Sequence, residues 1–263
     1  MTRLLALVAA LAAMLAVVPA SAQQPGVRTT VLAEATQGTL PVGPLVWQGF
    51  EYVFQPWDRS QVFGEDAGFT WVVDGVAELQ LEGEAPAAVP AGRAVATQSG
   101  VRRGLGGVEP TGAAIWVIGL GGPTPGLFQM PPRLLFRSEP IVPPGPGSYT
   151  FRLSRVEVTG LGAIAAEPVS GTVTLFVDSG DVSLQTPDGG AVLRQGAIVT
   201  IAASGGALLT PLGSRPASLV ALTLVAGPPT VKVPVPSSTL PEFPSNPAPI
   251  PFPLLPSGTF PRR

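Results

Sequence analysis

Arg102 and Arg103 stand side by side in the glycine-rich stretch Gly100-Val101-Arg102-Arg103-Gly104, and a guanidinium held there could grip a carboxylate or phosphate with two parallel hydrogen bonds. In a bland setting the same pair is a surface turn. Glu65-Asp66 precede Gly68, and Glu78, Glu82 and Glu84 follow along the next apolar stretch. Neighbouring carboxylates turned inward would raise one another's pKa and serve as acid and base. On a strand, however, Glu78, Gln80 and Glu82 share one face while Leu79 and Leu81 take the other, which puts the carboxylates in solvent. Trp47, Tyr52, Phe54, Trp57, Phe63, Phe69 and Trp71 crowd one part of the chain. Trp57-Asp58-Arg59 combines a stacking ring with hydrogen-bonding groups, as a sugar site does, although aromatic clusters also make ordinary cores. The candidate ligand-binding residues are Arg103, Arg102, Trp57, Trp71 and Glu65; the sequence names no catalytic residue.

The chain contains neither Cys nor His. That removes disulfides, thiol nucleophiles, thiolate zinc sites, imidazole acid–base chemistry and the Ser-His-Asp triad. No metal site and no cofactor is expected. Gly104-Leu105-Gly106-Gly107 and Gly119-Leu120-Gly121-Gly122 carry no Lys and open no helix, so neither is a phosphate loop. Asp178, Asp181 and Asp188 lack calcium-loop spacing and suit turns. A net charge of −2 offers nothing to nucleic acid.

Residues 1–22 have the layout of a secretory signal: Arg3, an apolar run over 4–18, then Ala20-Ser21-Ala22 before Gln23. The run is short for a membrane span. No Cys follows the small-residue site, so no lipid anchor is expected there. Pro, Gly or charge interrupts every later apolar stretch, so no integral membrane span is expected after cleavage. The expected location is secreted or periplasmic, with stability supplied by packing alone.

From Val27 onward, short apolar or alternating runs rich in β-branched residues are bounded by Gly, Pro, Asp and Ser, which predicts an all-β chain. An internal repeat organises them. Val73-Asp74-Gly75 matches Val177-Asp178-Ser179-Gly180 with one extra residue, Pro90-Ala91-Gly92 matches Arg194-Gln195-Gly196, and Ser99-Gly100 matches Ser204-Gly205. Each copy ends in an apolar strand, at 113–120 and 217–224. Eight prolines between 121 and 148 cannot sit in a central strand, which leaves a linker or an edge segment, part of it packed through Leu134-Leu135-Phe136. After 226 a Pro recurs at nearly every third position with Phe243, Phe252 and Phe260 between, a tail suited to polyproline II: either a disordered terminus or a peptide that docks on its own domain or on a protein partner. The division is signal peptide 1–22, first repeat 23–120, linker 121–148, second repeat 149–226 and Pro-rich tail 227–263.

The order of these turns and strands resembles the cupin superfamily, whose barrel is a double-stranded β-helix. Gly180-Asp181-Val182-Ser183-Leu184 resembles the close of the first cupin motif, and the run from Leu193 through Gly196 to Ile201 resembles the start of the second, with Ala197 and Ala202 where the family usually has Asp and Pro. Leu212-Gly213-Ser214-Arg215-Pro216-Ala217 resembles its closing turn; Gly92-Arg93-Ala94-Val95 and Gly112-Ala113 do the same in the first copy. The resemblance spans 49–120 and 151–225 and implies a bicupin. It also implies three His and one Glu around a metal, which the chain departs from throughout. The second-motif His falls on Arg103 and Ala207, the first-motif pair near Gln61 and Phe63 and within 166–169, and the Glu near Gly68 and Val173. The expected protein is therefore an exported, metal-free, degenerate bicupin with a non-catalytic role, binding a small molecule or carbohydrate or serving structure. The alternative is a metal-independent sugar-modifying isomerase or lyase that uses Arg103 with Glu65 or Asp66. Expressed with its leader in an exporting host, the protein should begin at Gln23 when its N-terminus is sequenced; retention of Met1 would overturn the signal-peptide assignment.

Overall fold

The computed structural model describes residues 26–38, 40, 43–56, 58, 61–63, 66–108, 110, 112–121, 132–143, 148–164 and 171–227, of which 61–63 are described as backbone only. The leader, and the tail past Gly227, lie outside the described residues. All the described residues fall within one compact unit, Met1–Val231.

Strands build both repeats, as the β-branched runs predict. The first contributes β2 (Val46–Phe54), β3 (Gln61–Phe63), β4 (Ala67–Leu81), β5 (Ala87–Pro90), β6 (Ala94–Thr97), β7 (Arg103–Gly107) and β8 (Ala113–Gly121). With β9 (Arg133–Arg137) they form one antiparallel system in the order β3-β7-β4-β8-β2-β9, and β5 and β6 also pair with β4. The second repeat contributes β10 (Tyr149–Val158), β11 (Gly162–Ile164), β12 (Gly171–Ser179), β13 (Val182–Thr186), β14 (Gly189–Leu193), β15 (Ile198–Ala202), β16 (Ala207–Pro211) and β17 (Ala217–Ala226). Together with β1 (Val27–Gln37) these make two sheets, β1-β10-β17-β12-β15 and β11-β16-β13-β14. The architecture is all-β, two antiparallel β-barrels in tandem.

The pairing cuts across the linear order twice. β1, inside the 23–120 segment, runs antiparallel to β10 of the second repeat, from Val27 opposite Val158 to Gln37 opposite Tyr149. β9, from the Pro-rich linker, lies on the edge of the first barrel against β2, where Ser138 Oγ accepts from the Trp47 backbone N–H at 2.9 Å. Pro132 precedes this strand and Pro140 follows it, where they remove no ladder donor.

Hydrogen bonds match the two repeats directly. Val72 N–H donates to Arg93 O at 2.9 Å and Gly92 N–H to Val72 O at 2.8 Å; Val177 N–H donates to Ala197 O at 2.9 Å and Gly196 N–H to Val177 O at 2.8 Å. Val72 is thus the structural counterpart of Val177, one residue earlier than sequence matching places it. The reason is a bulge in both copies, between Val72 and Asp74 and between Val177 and Ser179. Gly75 and Gly180 then coincide without an insertion, at φ of 72° and 75°, values only Gly adopts at low cost.

Period-two alternation sorts the side chains into three cores. Tyr52, Phe54, Val72, Leu79, Leu105 and Ile115 fill the first barrel, and Val156, Val173, Leu175, Val182, Leu184 and Leu209 fill the second. The third core is a seam in which the outer faces of β2, β4 and β8 meet those of β10, β12 and β17. Its aromatic centre places Trp71 edge-on to Trp116 at 5.1 Å, Trp116 edge-on to Phe176 at 6.0 Å, and Phe136 against Phe176 at 4.7 Å. Gly49 leaves room for this packing, since a Cβ there would collide with the Phe136 ring.

The seam has a polar margin. Glu51 accepts from Arg133 Nε at 2.7 Å and from Trp116 Nε1 at 3.4 Å. Burial pushes the Asp178 carboxyl above the usual carboxylate range; Arg155 opposes the shift and Glu51 adds to it. A carboxyl whose folded pKa is raised contributes stability that is present below its unfolded pKa of about 3.9 and is lost as pH rises through the folded value. Asp178→Asn should therefore be more stable than the parent chain at pH 7, with the advantage gone below about pH 4, as read by urea unfolding at both pH values. An advantage independent of pH would refute the assignment to Asp178 ionisation.

Candidate functional site

Strand register decides which of the two adjacent arginines enters the first barrel. Gly100 turns the chain at φ 86°, Glu82 N–H donates to Arg102 O at 2.9 Å, and Arg103 then lies opposite Leu81, as Leu105 lies opposite Leu79. Directly opposed residues of an antiparallel pair share a face. Leu79 and Leu105 belong to the barrel core, so Arg103 points inward and Arg102 outward. Arg103 is 3% exposed; Arg102 is exposed, with its backbone N–H near the Glu82 carboxylate at 3.4 Å.

Inside, and among the described residues, the guanidinium makes one hydrogen bond, from Nη1 to Thr97 Oγ1 at 3.2 Å, and its Nε has no partner. Thr97 lies opposite Gly68 and Thr70 opposite Val95, which gives the two hydroxyls the same inward face. Thr70 is 1% exposed and its hydroxyl also lacks a partner among the described residues. Burial lowers the Arg103 pKa to about 10, with Asp66 and Tyr52 opposing the shift, so the group stays cationic at neutral pH. Tyr52 is buried beside it, and burial drives its phenol well above the ordinary value despite the nearby cation.

Glycine lines the neighbouring wall. Alternation from Ile115 and Val117 turns Gly119 and Gly121 of β8 inward, and Gly119 lies opposite Gly68. A Cβ on Gly119 would meet only the Asp66 Cβ, at 3.9 Å; one on Gly121 would meet the Asp66 carboxylate at 3.2 Å. Asp66 itself is exposed at the entry to β4.

The second barrel is different in kind. Ala207 opens β16 as Arg103 opens β7, and it lies in an apolar core. Toward one end Arg152 Nε donates to Glu34 Oε2 at 2.6 Å, an ion pair supplied jointly by β10 and β1. Two grooves of about 690 and 340 Å³ flank the β13–β14 hairpin, walled by Thr186, Pro187, Gly189, Gly190, Gly205 and Gly206; Asp188, in the smaller, is their one ionisable side chain.

Of the five residues singled out from sequence, the structure places only Arg103 inside a barrel. Trp71 lies in the seam: with Phe69 it occupies the face of β4 opposite Thr70 and Val72. Trp57 and Glu65 lie outside the described residues. Sequence reading overlooked Thr70, Thr97 and Gly119, whose roles depend on the register between β4, β6 and β8. Inward parity with Val72, Val95 and Val117 was the available signal.

The metal that a cupin resemblance implies does not fit this interior. Among the described residues the inward groups around Arg103 are Thr70, Thr97 and Tyr52, neutral oxygens beside a fixed cation, and a divalent ion would need several anionic or imidazole ligands. No group of three or more Asp or Glu suited to a metal occurs among the described residues.

No family model and no curated protein sequence matches the chain. Among solved structures it is similar to a variant of Bacillus subtilis oxalate decarboxylase, at 12% identity over 74% of this chain and 76% of that one, with a TM-score of 0.48. It is similar also to the formate complex of Lactobacillus farciminis oxalate decarboxylase, at 9% identity over 74% and 85%, with a TM-score of 0.48. A Cupin_2 domain of an XRE-family transcriptional regulator from Enterobacter cloacae aligns with 30% of this chain at 16% identity and a TM-score of 0.27.

A lone buried charge is costly to fold, and a hydrophobe of similar length removes that cost. Arg103→Met should raise stability at pH 7 by about 1–4 kcal/mol, measured by denaturant unfolding without added ligand. A loss of stability would instead make Arg103 a structural strut.

Proposed function

We propose that the chain is an exported, non-catalytic binding protein in which the first barrel takes a small-molecule or carbohydrate ligand at Arg103 and the second barrel is scaffold. The observation that carries this reading is the contrast at one equivalent position: a buried, largely unpartnered guanidinium in one barrel and Ala207 within aliphatic packing in the other. A charge whose burial costs several kcal/mol and contributes little packing is understandable as a recognition group.

Binding is favoured over turnover by the groups beside Arg103. Acid–base catalysis works best with a pKa near the operating pH, and burial carries the Tyr52 phenol away from that range. The leader supports export, and the Pro-rich tail offers a route to a protein partner. Among the described residues no helix is long and apolar enough to cross a membrane.

A library of neutral sugars and small organic acids, scored by thermal unfolding of the mature chain, tests the reading. A ligand at 100 times its Kd contributes about 2.7 kcal/mol, a shift of several degrees for a chain of this size. At least one compound should raise Tm in the parent and not in Arg103→Met, and should be recovered unchanged. No stabilising compound, or one equally effective on the variant, would refute the proposal.

A further inference from the structure

We infer that the ligand of the first barrel is a small monoanionic carboxylate, held by the Arg103 guanidinium. This rests on the binding reading above and specifies its chemistry. A guanidinium carries five N–H donors in a planar fork, and Thr97 accepts from only one nitrogen, Nη1. The free Nε belongs to an edge of the fork whose spacing matches two carboxylate oxygens. Thr70, one strand away from Thr97, holds a second unspent buried donor on the same inward face. Among the described residues donors are in excess and acceptors scarce, so an anion fits where a neutral sugar would leave the charge unanswered.

Glycine leaves the neighbouring wall bare. Gly68 and Gly119 lie opposite one another on β4 and β8 and put no side chain on the inner wall. The direction a Gly119 side chain would take is open except for the Asp66 Cβ at 3.9 Å. Asp66 acts on Arg103 through its field without forming an ion pair, and its negative charge near the Gly121 wall selects against a dianion. One cation partly offset by one carboxylate suits a single negative charge. Phosphate, a mixture of monoanion and dianion at neutral pH, is disfavoured in so far as it is dianionic.

The test uses the mature full-length chain in chloride buffer, titrated by calorimetry with acetate, D-glucuronate, glucose and inorganic phosphate at constant ionic strength. Acetate or glucuronate should bind, and phosphate should bind at least about tenfold more weakly than the better of them. Arg103→Lys, which keeps the charge but loses the fork, should weaken that carboxylate by about tenfold or more. Gly119→Val should abolish binding with Arg103 intact, which keeps the proposal testable if Arg103 variants fold poorly. Asp66→Asn should tighten binding and narrow the preference over phosphate. The Arg103 Nε–H resonance should move on addition of the bound carboxylate. Binding of glucose without either carboxylate would overturn this inference and leave the binding reading standing; silence from all four probes together with an empty library screen would overturn both. Carboxylate binding unchanged in Gly119→Val, or Arg103→Lys equal to the parent, would also overturn it.

Discussion

The central strands of the sheets that meet at the seam have no solvent face, and that constraint governs the rest of the molecule. β4 sends Thr70 and Val72 into the first barrel and Phe69 and Trp71 into the seam; β8 does the same with Ile115 and Val117 against Trp116 and Ile118. A slip of one residue in either strand would exchange the two sets, putting an indole into the barrel and leaving a valine where Trp71 must meet Trp116 or Trp116 must meet Phe176. Register is therefore fixed from both sides at once. The bulges at Val72/Asp74 and Val177/Ser179 sit where each long path leaves the seam and turns over its own barrel.

Two barrels built on one plan thus divide their duties. Both keep the Gly92/Gly196 turn and the paired hydrogen bonds that anchor it, so the scaffold is specified twice. Their interiors diverge at one equivalent position. Ala207 lets aliphatic packing close over it, while Arg103 keeps a charge where packing alone would be more stable. On the binding reading proposed above, the first barrel gives up stability in favour of recognition, while the second keeps an aliphatic interior.

Much of the architecture was legible because Gly and β-branched residues report strands and turns locally. The repeat could be read from matching turns, although bulges, which insert a residue without any compositional mark, displaced its register by one at Val72. The attachment of β1 to the second repeat was not legible, since nothing in 27–37 encodes a partner more than a hundred residues away. The same limit applies to the site. Arg103 was visible as a charge between glycines; that Trp71 faces away from it while Thr70 faces toward it depends on which face of β4 meets the seam, a tertiary fact. Gly119 gave no signal of its own, because an inward glycine is recognised only once the strand has a known inside.

The placement of β1 has a consequence for how the chain reaches this structure. Val27 pairs with Val158 and Glu34 with Arg152, so the first strand in the chain order can close its ladder only after β10 has been made and delivered. Until then an eleven-residue strand with no proline stands without its neighbour, the kind of open edge that invites pairing with another chain. Closing so long a loop is slow rather than prohibitive in free energy, because the entropic cost grows only with the logarithm of loop length. Thr29, Thr30, Arg28 and Glu34 keep that waiting strand hydrophilic. Assembly of the second barrel is thereby tied to the completeness of the chain, since its outer strand is held in reserve from the opposite end of the sequence.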